Sequence, residues 1–143
     1  MQRNSAGFVG GLAGGLIRLA LDQIVFASGI SGVNTVGWFS TLLGTASAFW
    51  SWVAYGLVTG AIGWLISLVV PKDYPSSYLP AGLLIGAVLW TGMNALFALS
   101  GLVRPTWSMG AGSLIMDLLT HFVWGAVIAY GLWRTRADAK AAG

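Results

Sequence analysis

The chain contains no cysteine, so disulfide frameworks, thiolate chemistry and iron–sulfur ligation are excluded. Charge is almost as scarce. Only 8% of the residues are charged and there is a single histidine, whereas soluble domains carry roughly 25% charged residues. What fills the chain instead is apolar, with 57% of its 143 residues hydrophobic. A soluble domain of this size cannot hide so much apolar surface, but a bilayer removes the need to. The net charge of +3 rests on basic residues in predicted loops and tails. They form no patch suited to nucleic acid, which is therefore not an expected partner. The glycines lie inside apolar runs and make no phosphate-binding loop. With neither a cysteine nor a glycine at position 2, no lipidation signal is present.

A membrane helix needs about 20 apolar residues to cross the hydrocarbon. Segments near residues 6–29, 45–70, 79–101 and 111–133 meet that length. Pro71 ends the second, and Pro80 is allowed in the first turn of the third. The first segment has a signal-peptide look, with Arg3, an apolar run, and small residues at Ala27 and Ser28. Arg18 and Asp22 interrupt that run, and it is too long, so it is expected to be a span. Residues 30–44 are uncharged but short and broken by glycine, and are expected to lie at the interface or fold back as a cap. The fold class expected is all-α: one transmembrane domain over residues 1–143, a bundle of four membrane helices. Arg3, Lys72, Arg134, Arg136 and Lys140 fall on one side and Arg104 on the other. The excess of positive charge places both termini in the cytoplasm of a cell whose plasma membrane holds the protein. Trp38, Trp50, Trp52 and Trp107 then gather at the outer interface, and Tyr74, Tyr78 and Trp133 at the inner one. Trp90 and Trp124 fall mid-membrane as packing residues.

Glycine carries the packing signal. Gly7, Gly11 and Gly15 repeat at four-residue spacing beside a second row of Gly10 and Gly14, with Gly56 and Gly60 in the second span and Gly82 and Gly86 in the third. Small residues at this spacing let helix backbones approach closely. Packing within the chain is the expected use, and packing between copies the alternative. Ala6, Gly10, Gly14, Arg18 and Asp22 share one stripe, as do Asp117, His121, Gly125 and Ala129. The charges therefore point toward a neighbouring helix.

Arg18, Asp22, Asp117 and His121 are the strongly ionisable groups within the spans. Charge at membrane depth is costly, and it is normally paired, faces protein and marks function. At about 1.5 Å rise per residue, Arg18 and His121 lie near the midplane, and Asp22 and Asp117 in the outer half. Antiparallel neighbours then bring Arg18 beside His121 and Asp22 beside Asp117, or pair Arg18 diagonally with Asp117. Asn94 and Tyr55 reach the same level and complete the candidate polar cluster. Two uses fit it: a network that fixes helix register, or a site for protons, a cation or a small polar ligand. Ser113, Asp117 and His121 share a face, but Ser113 and His121 are about 12 Å apart along the axis, too far for a triad. Asp117 and His121 are two metal ligands short of a site that Asp22 and Asn94 would have to complete. No cofactor, metal or enzyme activity is expected.

The glycine-rich first helix closing its stripe at Arg18-Leu19, the Pro105 loop, and the Trp124-Gly125 and Tyr130-Gly131 steps resemble the YqhR-type family of small bacterial membrane proteins. His121 with Trp124 is similar, more distantly, to YagU-type membrane proteins. The resemblance implies a four-helix bacterial membrane protein and supplies no catalytic residues. The function expected is that of a non-enzymatic structural, accessory or self-associating component. Its partners would be the lipid bilayer and a second copy or a larger membrane complex. The alternative is a proton-coupled or small-solute transport unit built around the four ionisable groups.

Overall fold

The computed structural model describes residues 2–44, 47–71, 73–74, 76–101 and 103–141, with 138–141 as backbone alone. Thr45, Lys72 and the Lys140 side chain, all named above, lie outside the described residues. The chain is all-α. Its elements are α1 (Arg3–Ala27), α2 (Thr35–Leu42), α3 (Ala48–Val69), α4 (Tyr78–Ser100), a 3₁₀ turn at Thr106–Ser108, and α5 (Ala111–Ala141). Four of the helices are long and apolar enough to cross a membrane.

Their ends follow local chemistry. α1 stops before Gly29, which takes a left-handed φ of 75°. α3 gives way at Val70, extended at ψ 130°, because the residue before a proline is pushed out of the helical region. α4 closes on Gly101 at φ 66°, whose N–H bonds the Phe97 carbonyl at 3.1 Å. α5 runs past the expected boundary at Trp133 to Ala141. Hydropathy marks where a helix leaves the apolar phase, and the Arg- and Ala-rich sequence beyond it favours helix as strongly as the span does. α1 likewise begins earlier than the apolar run, at Arg3. Its guanidinium donates to the carbonyls of Val70 (2.8 Å), Pro71 (3.0 Å), Tyr74 (3.2 Å) and Ser67 (3.3 Å). A cation thus caps the carbonyl end of α3 where the macrodipole is negative.

α1 and α5 cross at the centre, with α3 packed on α1 and α4 packed on α5. Glycine makes each contact close. A Cβ on Gly7 would stand 2.6 Å from the Gly63 carbonyl oxygen, and one on Gly11 would stand 2.8 Å from the Gly63 Cα. On the other side, a Cβ on Gly86 would meet the His121 carbonyl at 2.6 Å, and one on Gly125 the Gly86 nitrogen at 2.5 Å. Gly10 and Gly14 face α5 at Ile128, Val127 and Trp124. The glycine rows therefore work inside one chain. Gly56 and Gly60 receive the Leu16 and Phe8 side chains, as Gly15 receives that of Thr59, and Gly63 takes the backbone approach on α3.

The two ends of the bundle close differently. Near the termini, Ala81, Ile85, Trp124, Ile128, Ala129 and Leu132 form an apolar core against which Ile62 and Ile66 of α3 pack. At the far end α2 folds back as a wedge, its first turn capped by the Asn34 side chain, which accepts from the Gly37 N–H at 2.9 Å. Phe39 meets Tyr55 of α3 edge-on with centroids 5.1 Å apart, and Trp38 meets Phe97 of α4 at 5.7 Å. Residues 30–44 are thus a cap that folds back, and the polar cluster lies beneath it.

Candidate functional site

Each ionisable side chain is delivered by a small-residue stripe. With no Cβ at Gly10 and Gly14, α5 comes close enough for Trp124, 1% exposed, to donate its Nε1–H to the Gly11 carbonyl at 3.0 Å. One turn further along α1, Arg18 meets Asp117. Its Nη2 lies 2.7 Å from Asp117 Oδ1 and 3.4 Å from Asp22 Oδ2. The diagonal pairing is realised because a guanidinium spans between helices more readily than two carboxylates share a site. Arg18 Nη1 also donates to the Tyr55 hydroxyl. Its Cζ lies 5.9 Å from the ring centres of both Tyr55 and Trp124, within reach of the attraction between a cation and an aromatic face.

The second oxygen of Asp117 is served from α4 and from the loop. Asn94 Nδ2 donates to Oδ2 at 3.3 Å, and the Thr106 hydroxyl lies 2.9 Å from the same oxygen. The Thr106 N–H donates to Asn94 Oδ1 at 2.6 Å. On the other side Thr35, the first residue of α2, donates its hydroxyl to Asp22 Oδ2 at 3.1 Å. Thr35 and Thr106, both buried, close the cluster from the far end. His121 Nδ1 lies 2.7 Å from the Asp117 backbone carbonyl and 3.3 Å from Asp117 Oδ1. A carbonyl only accepts, so Nδ1 carries the hydrogen, and in the neutral ring Nε2 is an acceptor.

The structure therefore brings Arg18, Asp22, Asn94, Asp117, His121 and Tyr55 together. With Arg18 positive, both aspartates negative and His121 neutral, the formal charge of the group is −1. Arg18, Asp22 and Asp117 retain no more than 7% exposure. That degree of burial is tolerated because the carboxylate oxygens and guanidinium nitrogens bond one another and the flanking hydroxyls. Ser113 is not part of the cluster. Its hydroxyl accepts from the Gly32 N–H at 2.9 Å and ties the loop after α1 to the start of α5. Among the described residues no group of three or more histidine, cysteine or acidic side chains is placed to hold a metal ion. Thr35 and Thr106 are the members that sequence reasoning missed. Each is the first residue of a short element, α2 or the 3₁₀ turn, and a threonine after Pro105 carries no signal of where the chain returns.

Thr106→Val is expected to lower stability by about 1–3 kcal/mol, the cost of leaving buried acceptors unserved. Ser108→Ala, on the exposed side of the same turn, is the control. Unfolding in mixed micelles measures both, and equal midpoints mean that Thr106 is not a structural member of the network.

No family model, curated protein or solved structure matches this chain.

Proposed function

We propose that the protein is a small multi-pass component of the bacterial cytoplasmic membrane, of the YqhR type, with both termini in the cytoplasm. Its role is non-enzymatic, and its ionic cluster sets helix register rather than carrying a solute. The observation that supports this reading is the closure of the cluster. The charges are bonded to one another and to Thr35 and Thr106, around a cavity of about 30 Å³. A buried water needs at least ~10–15 Å³, so the space suits one or two water-sized groups. A transport unit built on Arg18, Asp22, Asp117 and His121 needs a passage through the same place. The glycine faces already serve contacts within the chain, so another copy or another subunit would meet the apolar outer faces of α3 and α4.

Two measurements test the proposal. In proteoliposomes, an imposed pH gradient should persist as long as in protein-free vesicles. A faster collapse that Asp117→Leu abolishes makes the cluster a proton path and overturns the structural role. For orientation, five basic loop or tail residues against one predict that a cysteine replacing Ser108 reacts with an impermeant thiol reagent added outside intact cells. The chain has no cysteine of its own to confuse the result. Reaction only after permeabilisation reverses the topology.

A further inference from the structure

One donor and one acceptor in the cluster find no partner among the described residues: Arg18 Nε and His121 Nε2. His121 is 1% exposed and Arg18 7%. Both residues line the cavity of about 30 Å³, together with Tyr55, Asn94, Thr106 and Asp117. Leaving buried polar atoms unserved is costly, and a network otherwise bonded so fully makes these two conspicuous.

The properties of the space narrow what it takes. Its size excludes phosphate and sugar headgroups. The formal charge of −1 on the surrounding groups disfavours a carboxylate. With the imidazole neutral, the His121 Nε2 lone pair calls for a guest that donates, which a ketone, quinone or ether cannot do. A hydroxyl supplies both halves, with an O–H for the imidazole and lone pairs for the guanidinium N–H.

Beside the cavity lies an almost wholly apolar groove of about 280 Å³ between α2 and α4. Trp38, Phe39, Met93 and Phe97 line both spaces and form the partition between them. Leu42 and Leu96, at the groove, are 61% and 57% exposed, so it opens on surroundings that, for an apolar span, are lipid chains. Met93 is the pliable member of the partition, because an unbranched thioether repacks readily.

We propose that cavity and groove together bind a membrane-soluble long-chain alcohol, with its hydroxyl between His121 and Arg18 and its chain in the groove between α2 and α4. The site goes beyond the structural role proposed above and does not depend on it.

The test uses the purified full chain in detergent and a photoactivatable hexadecanol with its diazirine in mid-chain. Labelling should be saturable and fall on Met93 and its neighbours in α4. Unlabelled hexadecanol should compete at about tenfold lower concentration than hexadecane, the effect of one well-made hydrogen bond in a dry site. Hexadecyl methyl ether can accept from Arg18 Nε–H but cannot donate to His121 Nε2, and should compete less well than the alcohol. His121→Phe should bring the alcohol down to the level of the ether while leaving alkane competition in place, and Met93→Trp should block both. Equal competition by alcohol, ether and alkane in the wild-type chain overturns the proposal without relying on any variant. So does the absence of saturable labelling, which would make the cavity a water site only.

Discussion

Arg18→Leu is expected to cost about 2–4 kcal/mol of stability. Loss of one partner of a buried pair costs ~3–5 kcal/mol in soluble proteins, and membrane values run smaller. The guanidinium bonds Asp117 at 2.7 Å, Asp22 at 3.4 Å and the Tyr55 hydroxyl. Its removal leaves two carboxylates facing each other in a space almost closed to water, and they must take up protons or repel. The loss should be partly recovered when the carboxylates go too, in Arg18→Leu with Asp22→Leu and Asp117→Leu, because the uncompensated charge is then absent. Unfolding in mixed micelles, followed by circular dichroism, gives the comparison. A single variant as stable as the wild type would mean that Arg18 makes no net contribution. A triple variant weaker than the single would mean that the polar bonds themselves, rather than charge balance, hold α1 to α5.

Gly125→Leu should be at least as damaging, by about 3 kcal/mol or more, because overpacking costs ~1–3 kcal/mol even where side chains can move aside and here the obstacle is backbone. A Cβ at this position would stand 2.5 Å from the Gly86 nitrogen and 2.9 Å from the Gly86 Cα. The only relief is to part α4 from α5. That withdraws Asn94 from Asp117 as well, so packing and the polar cluster should fail together. Gly92→Leu, on the partner helix α4, is the control, since a Cβ there meets nothing within 4 Å. It should be neutral, or stabilising by about 1 kcal/mol through helix propensity alone. Equal losses in the two variants would assign the effect to helix propensity or insertion rather than to the close approach.

The close approach and the charges are one design at different levels of the chain. Gly10 and Gly14 admit Trp124 and Val127 of α5, and the next residues on the stripe are Arg18 and Asp22. On α5 the order is inverted, with Asp117 and His121 before Gly125. Small residues bring the helices near, and the charged residues decide at which register they stop. A slip of one turn would move Arg18 about 5.4 Å along the axis, away from the Asp117 Oδ1 that it meets at 2.7 Å.

Much of this is written in the linear chain. Composition demands a lipid-facing fold. The lengths of the apolar runs and Pro71 place the helices to within a few residues, except at the end of α5, which runs on to Ala141, and four-residue spacing puts Arg18 with Asp22 and Asp117 with His121 on small-residue faces. These features are local, governed by helical periodicity and the cost of charge in hydrocarbon, so a sequence displays them directly. Tertiary structure decided the rest. Arg18 had two equally spaced choices across the interface, and the crossing of α1 and α5 selected Asp117. Gly63 shares its four-residue stripe with Thr59 and Ser67 rather than with another glycine and receives the backbone of α1, because helix rotation chooses which small residues face inward. Thr35 and Thr106 close the cluster from the starts of α2 and the 3₁₀ turn, about 70 residues apart in sequence, and where these short elements return is set by the packed helices that carry them. The cavity beside His121, and the apolar groove that adjoins it, exist only once α2 has wedged between α3 and α4; no single segment encodes a space that five helices and the 3₁₀ turn surround.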